Sequence, residues 1–171
     1  RHQLAETRRG AGGGFFVCQP PRHAMASVLS GYLESIGLEV AELFEARRYI
    51  ETVTAELAAE RIDEDGAVEL EKIATPEEVR RSLEEDVARH ERFHTTLADL
   101  SHNPALALFV HALHRVSQDV GLSMGFSRAE SAQDTEQLWE EKRRIARAVT
   151  AGNANRARRL MNDHLLERQA Y

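Results

Sequence analysis

From His23 onward the apolar residues of this chain return every three or four positions, and that period leaves room for helices and little else. One amphipathic stretch runs from His23 to about Ser35, with Val28, Leu29, Tyr32, Leu33 and Ile36 on its apolar side and Gly37 to end it. The next runs from about Val40 to Arg61, where Leu43, Phe44, Ile50, Thr54, Leu57 and Ala58 form the stripe. Acidic residues 63–65 open a short helix that ends near Ile73. Thr75-Pro76-Glu77-Glu78 then supplies a cap, a proline at the first helical position and early acids, and predicts a helix as far as Leu100. Asn103-Pro104 repeats the device and opens a helix to roughly Met124, weakened at its end by Gly121 and Gly125. Residues Asp134 to Thr150 form another, stopped by Gly152, and Asn153 caps a last helix to about Arg168. The body is therefore predicted to be all-α, an antiparallel bundle of six or seven helices.

Residues 1–22 obey another rule. Gly10, Gly12, Gly13 and Gly14 favour a tight reversal, and Phe15-Phe16-Val17 is a β-prone exit, so residues 4–17 are expected to form a short β-hairpin. A lone hairpin is marginal in water and needs a packing partner, which points to a C-terminal fragment of a longer protein. Pro20-Pro21 marks a linker. Two units follow, 1–22 and 23–171. The first carries Arg1, Arg8, Arg9 and Arg22 against Glu6 alone, a balance of +3 in a chain whose net charge is −6. The acidic total speaks against a free-standing nucleic-acid binder, while the basic appendage places any DNA contact at Arg8 and Arg9. Cys18 is the only cysteine, so no disulfide closes within the chain and a reducing cytoplasm is the simplest home. The longest apolar run, Ala105 to Val110, is far short of the ~18 residues that a membrane span requires.

The informative residues are polar side chains lying on the apolar stripes. In the helix to Leu100 the stripe reads Val79, Leu83, Val87, His90, His94, Leu97, which points two histidines inward one turn apart. Lys142 lies on Leu138, Lys142, Ile145, Val149, and His164 on Ala157, Leu160, Met161, His164. Arg47 falls between Leu43 and Ile50 on the face of Thr54 and Leu57. Each has a bland explanation: Lys142 snorkels to water, Arg47 pairs with Glu51, His164 bonds a backbone carbonyl. Together they predict a cavity lined by cations and imidazoles, because buried charges are costly without a partner and no matching set of carboxylates lies on the stripes. Its occupant is expected to be an anion, a metal ion, or both. His111 and His114 flank their stripe and read as surface residues. No P-loop, Gly-x-Ser-x-Gly, His-Glu-x-x-His or Cys-x-x-Cys motif is present, and Glu91-Arg92-Phe93-His94 lacks the second Glu-x-x-His that a di-iron bundle needs.

Phe93-His94, Ser101-His-Asn-Pro104, Ile145 through Ala148 and Asn162-Asp-His-Leu165 resemble, in that order, the C-terminal FCD effector domain of FadR-branch, GntR-type transcription regulators. Leu43-Phe-Glu-Ala-Arg47 with Ile50-Glu51 resembles that domain's opening helix, and residues 8–17 resemble the end of the family's winged helix-turn-helix, its β-hairpin wing. The resemblance covers about residues 38–168 and implies a ligand-responsive regulator rather than an enzyme. It implies a homodimer, a small organic acid as effector, and operator DNA as a partner of the full-length protein only. Arg47, His90, His94, Lys142 and His164 are the implied ligand-binding residues. Many such domains hold a divalent metal with an Asp and a His one turn apart and two later histidines. His94 and His164 match that set, His90 stands at the Asp position, and Lys142 at the remaining His position. His90, His94 and His164 still offer three nitrogens to zinc or nickel. A protonated amine ~4 Å from a divalent ion opposes it by ~8 kcal/mol at an effective dielectric of 20. That magnitude favours Lys142 as a stand-in cation that grips the effector's carboxylate directly. The competing classes are a metal-dependent enzyme with a three-histidine site and a structural helical interaction module.

Overall fold

In a computed structural model, which describes residues 5–10, 12–18, 20–75, 83–119 and 132–169, a two-stranded hairpin precedes an all-α bundle. Strands β1 (Ala5–Arg8) and β2 (Gly14–Val17) pair antiparallel with Ala5 opposite Val17 and Arg8 opposite Gly14. Gly10 and Gly12 take φ of 112° and 98°, a region closed to most side chains, which is how the chain reverses here. Phe15 and Val17 are left 86% and 92% exposed.

The described helices are α1 (Arg22–Ser35), α2 (Val40–Arg61), α3 (Glu64–Ala74), α4 (Leu83–Leu100), α5 (Pro104–Asp119), α6 (Ala132–Thr150) and α7 (Ala154–Gln169). Their starts are set locally. Glu39 and Glu42 form a reciprocal capping box at α2. Asp63 Oδ1 accepts from Gly66 N at α3, Asn103 Oδ1 from Ala105 N and Leu106 N at α5, and Asn153 Oδ1 from Arg156 N at α7. Thr75 ends α3, its hydroxyl donating to Glu71 O at 2.8 Å, while the predicted helix start from Pro76 and the predicted end near Met124 lie outside the described residues.

Helix α2 is the central element, packed against α4, α5, α6 and α7. Its small residues Ala55, Ala58 and Ala59 let α7 approach closely, and with Leu70, Ile73, Phe93, Leu97, Ile145, Val149, Met161 and Leu165 they form the main core. A second cluster joins Leu43 of α2 to Leu113 and Val116 of α5. The expected apolar side of α1 is only partly buried. Ala26 and Ser30 are buried, Leu29 and Leu33 are half-buried, with Leu33 packed against the Leu43, Leu113 and Val116 cluster, while Val28, Tyr32 and Ile36 stay exposed.

Candidate functional site

Helix α2 buries Leu43, Arg47, Glu51, Thr54 and Ala58, a stripe that steps by three or four and carries two ionisable groups one turn apart. Arg47 Nε donates to Glu51 Oε1 at 2.7 Å, with side chains 4% and 1% exposed. The same guanidinium reaches across to α5, where Nη2 lies 3.1 Å from His114 Nε2 and Nη1 donates to Ser117 Oγ at 3.5 Å. Glu51 is thus enclosed by nitrogen. His114 Nε2 is 3.2 Å from Oε1, and His94 Nδ1 of α4 is 2.5 Å from Oε2. The Nε2 of buried His94, on the far side of its ring, has no hydrogen-bond partner.

These neighbours set the ionisation states. Burial raises the pKa of Glu51, yet Arg47, His94 and His114 together outweigh it and hold the carboxyl well below its ordinary range. Burial pushes His114 down to about 4, helped by Arg47 and opposed by Glu51. His94 is lowered by burial more than Glu51 raises it, and His90 is lowered by burial and by Lys142. The imidazoles are therefore neutral near pH 7 around one ionised carboxylate.

A second group adjoins this one. The ring centroids of His90 and His94 are 4.8 Å apart, and those of His94 and His164 are stacked at 5.4 Å. Lys142 of α6 is fully buried, and its Nζ ends 2.7 Å from His90 Nδ1. That nitrogen also lies 4.2 Å from the Trp139 ring centroid and 5.5 Å from that of Phe93. His164 Nδ1 pairs with Glu141 Oε2 at 2.8 Å.

The structure brings together Arg47, His90, His94, Lys142 and His164, all on the faces the periodicity assigned, and the Arg47–Glu51 pairing is found as expected. Other expectations fail. Lys142 does not snorkel, since its whole side chain is enclosed between α4 and α6 aromatics. His164 bonds a carboxylate rather than a backbone carbonyl. His114 is 3% exposed, because α5 is covered by α1, α2 and α4 and buries more than one stripe, while His111 is only half-buried beside Asp99. Carboxylates do reach the cluster, in Glu51 and Glu141. The stripe 43–47–51–54–58 was the available signal for Glu51. Arg89 was missed altogether: it is buried and donates to the carbonyls of Ile73, Lys72 and Thr75, stacked 4.5 Å from Trp139, where it closes the end of α3. Arg8 and Arg9 are exposed on the hairpin, with the Arg8 guanidinium 4.7 Å from the Phe16 ring.

Positions 90, 94, 142 and 164 do not suit the metal that the resemblance implies. A charged lysine nitrogen can only donate, so Lys142 uses the His90 Nδ1 lone pair that a metal would need. Another donor set, Glu51, His94 and His114, has ligand atoms within 4.8 Å of one another. Arg47 borders two of those three, so a cation there would face a fixed positive charge.

The bundle is that of the helical FCD domain of GntR-type transcription regulators. The FCD domain family matches residues 42–167, and the chain belongs to it. It is 32% identical to the HTH-type transcriptional regulator LutR of Bacillus subtilis, over 95% of this chain and 74% of LutR. It is 26% identical to the Uxu operon regulator of Haemophilus influenzae, over 95% of this chain and 60% of that protein. RmpR of Mycobacterium gastri, whose name places it among HTH-type regulators, is 28% identical over 95% of this chain, which spans 58% of its length. Streptococcus agalactiae GntR shares the fold, with a TM-score of 0.65 at 19% identity over 99% of this chain and 76% of that one.

Proposed function

We propose that residues 23–171 are the effector-binding and dimerisation domain of a bacterial GntR-type repressor or activator, and that residues 1–22 are the wing hairpin and linker of its DNA-binding domain. The observation that carries this is the convergence of buried Arg47, His94, Lys142 and His164 with half-buried His90 inside an FCD bundle, to which Glu51 and His114 are added. Cationic and imidazole groups set in an apolar bundle suit a small carboxylate. Binding would act by population shift, favouring one spacing of two winged helices on a two-fold operator. The exposed Val28, Tyr32 and Ile36 on α1 supply apolar surface of the kind a second copy covers. The relatives carry regulator names, and the enzyme reading has no such support. No described helix is long and apolar enough to cross a membrane, in keeping with action on DNA in the cytoplasm.

The full-length protein tests the reading. Retention of a fluorescent duplex from its own promoter should change when small carboxylates are added, and Arg47→Ala should weaken that response by ~1.5–3 kcal/mol, as for a lost charge-assisted hydrogen bond. Indifference of operator binding to every small carboxylate would refute it.

A further inference from the structure

We infer that Lys142 replaces the divalent metal of the FCD family, so that the cluster holds its carboxylate ligand through an ammonium group with no metal ion. The inference rests on the effector reading above.

The first support is the placement of the amine. A lysine on a bundle helix ordinarily runs its stem to the surface and keeps its charge in water. Lys142 instead lies on the buried row with Leu138, Ile145 and Val149, all fully enclosed. Its nitrogen is held over two aromatic faces, 4.2 Å from the Trp139 centroid and 5.5 Å from that of Phe93, and 2.7 Å from His90 Nδ1. An ammonium carries three donors, so a bond to His90 and a bond to a carboxylate are compatible.

The second is the direction of the departures from the family's ligand set. Imidazole at position 90 removes a negative charge, and an amine at position 142 adds a positive one. A divalent cation loses affinity through both changes, and an anion through neither. Glu51, the nearest replacement for the missing carboxylate, is committed to Arg47 at 2.7 Å. The third is His94, whose ring centroid is 4.8 Å from that of His90. It is buried, its Nδ1 lies 2.5 Å from Glu51 Oε2, and its Nε2 has no hydrogen-bond partner and faces the same cluster as a further polar group for a ligand.

The test uses full-length protein purified without chelator or metal-affinity resin. Elemental analysis should find well under one zinc or nickel per chain, and Lys142→His, which restores an imidazole, should acquire near-stoichiometric zinc that is lost again on adding His94→Ala. Trp139 is the sole tryptophan and touches Lys142, so its emission reports the site. Among acetate, lactate, malonate and succinate, at least one should change that emission saturably in the presence of EDTA, and Lys142→Met should weaken the response at least tenfold. Stoichiometric metal in the wild type that depends on His94, or a carboxylate response that EDTA abolishes, would overturn the inference and leave the effector reading standing. Silence of all four carboxylates with and without zinc would overturn both.

Discussion

Arg47 and Glu51 are worth most to the fold as a pair, since each is buried and each is the other's counter-ion. Glu51→Gln leaves a guanidinium enclosed without its anion and should cost about 3–5 kcal/mol in urea unfolding. The joint change Arg47→Met with Glu51→Leu removes both charges and should cost clearly less, and a larger loss in the double variant would contradict that account. The same residues make the protein acid-labile. Glu51 has a depressed folded pKa, so its contribution is complete above about pH 4.5, the ordinary carboxylate value, and fades as pH falls through the folded value. His114, lowered from 6.5 to about 4, stays neutral where the unfolded chain takes up a proton. Stability should therefore decline as pH falls from 6.5 to 4, by on the order of 3 kcal/mol from this group. His114→Gln should flatten that part of a pH series of unfolding midpoints, and an unchanged slope would count against it. The stripes exposed Arg47, His90, His94, Lys142 and His164 to sequence reading because each interrupts an apolar period. His114 and Arg89 escaped it, since their burial is decided by which neighbours cover α5 and α3, and periodicity within one helix carries no record of its neighbours.

Helix boundaries were legible wherever a local device sets them. Asn103, Asn153 and Gly152 all act where the sequence placed them, because a cap or a left-handed residue works within a few positions of itself. Gly152 has φ of 67° at the corner between α6 and α7, so Gly152→Ala should destabilise by about 1 kcal/mol through backbone strain alone. Asn153→Ala should cost roughly 0.5–2 kcal/mol by releasing the Arg156 amide. Calorimetry on each variant checks both, and a raised Tm for Gly152→Ala would show that the corner relaxes. The outward turn of α1 was not legible. Val28, Tyr32 and Ile36 look like core by period, and nothing in a single helix tells an intramolecular face from an exposed one.

At the scale of the whole molecule, the described hairpin exposes two arginines, Arg8 and Arg9. Two or three phosphate contacts give weak, salt-sensitive attraction with no reading of bases. Residues 1–171 alone should therefore fail to select an operator at physiological salt, and sub-micromolar, sequence-specific retention in a gel-shift assay would refute that. Sedimentation of the same chain should show a dimer that Tyr32→Glu weakens, since a charge introduced into an apolar contact is costly. Helix α4 ties these scales together mechanically. It carries His90 and His94 in the cluster, and Asp99 roughly 7.5 Å further along its axis. Asp99 grips Arg22, the first residue of α1 and the one that directly follows Pro20-Pro21, with His111 close to both. A helix is stiff along its length, so α4 is built like a connecting rod: a slide imposed at the histidines would move Asp99 with them and pull, through its exposed ion pair, on Arg22 beside the proline pair.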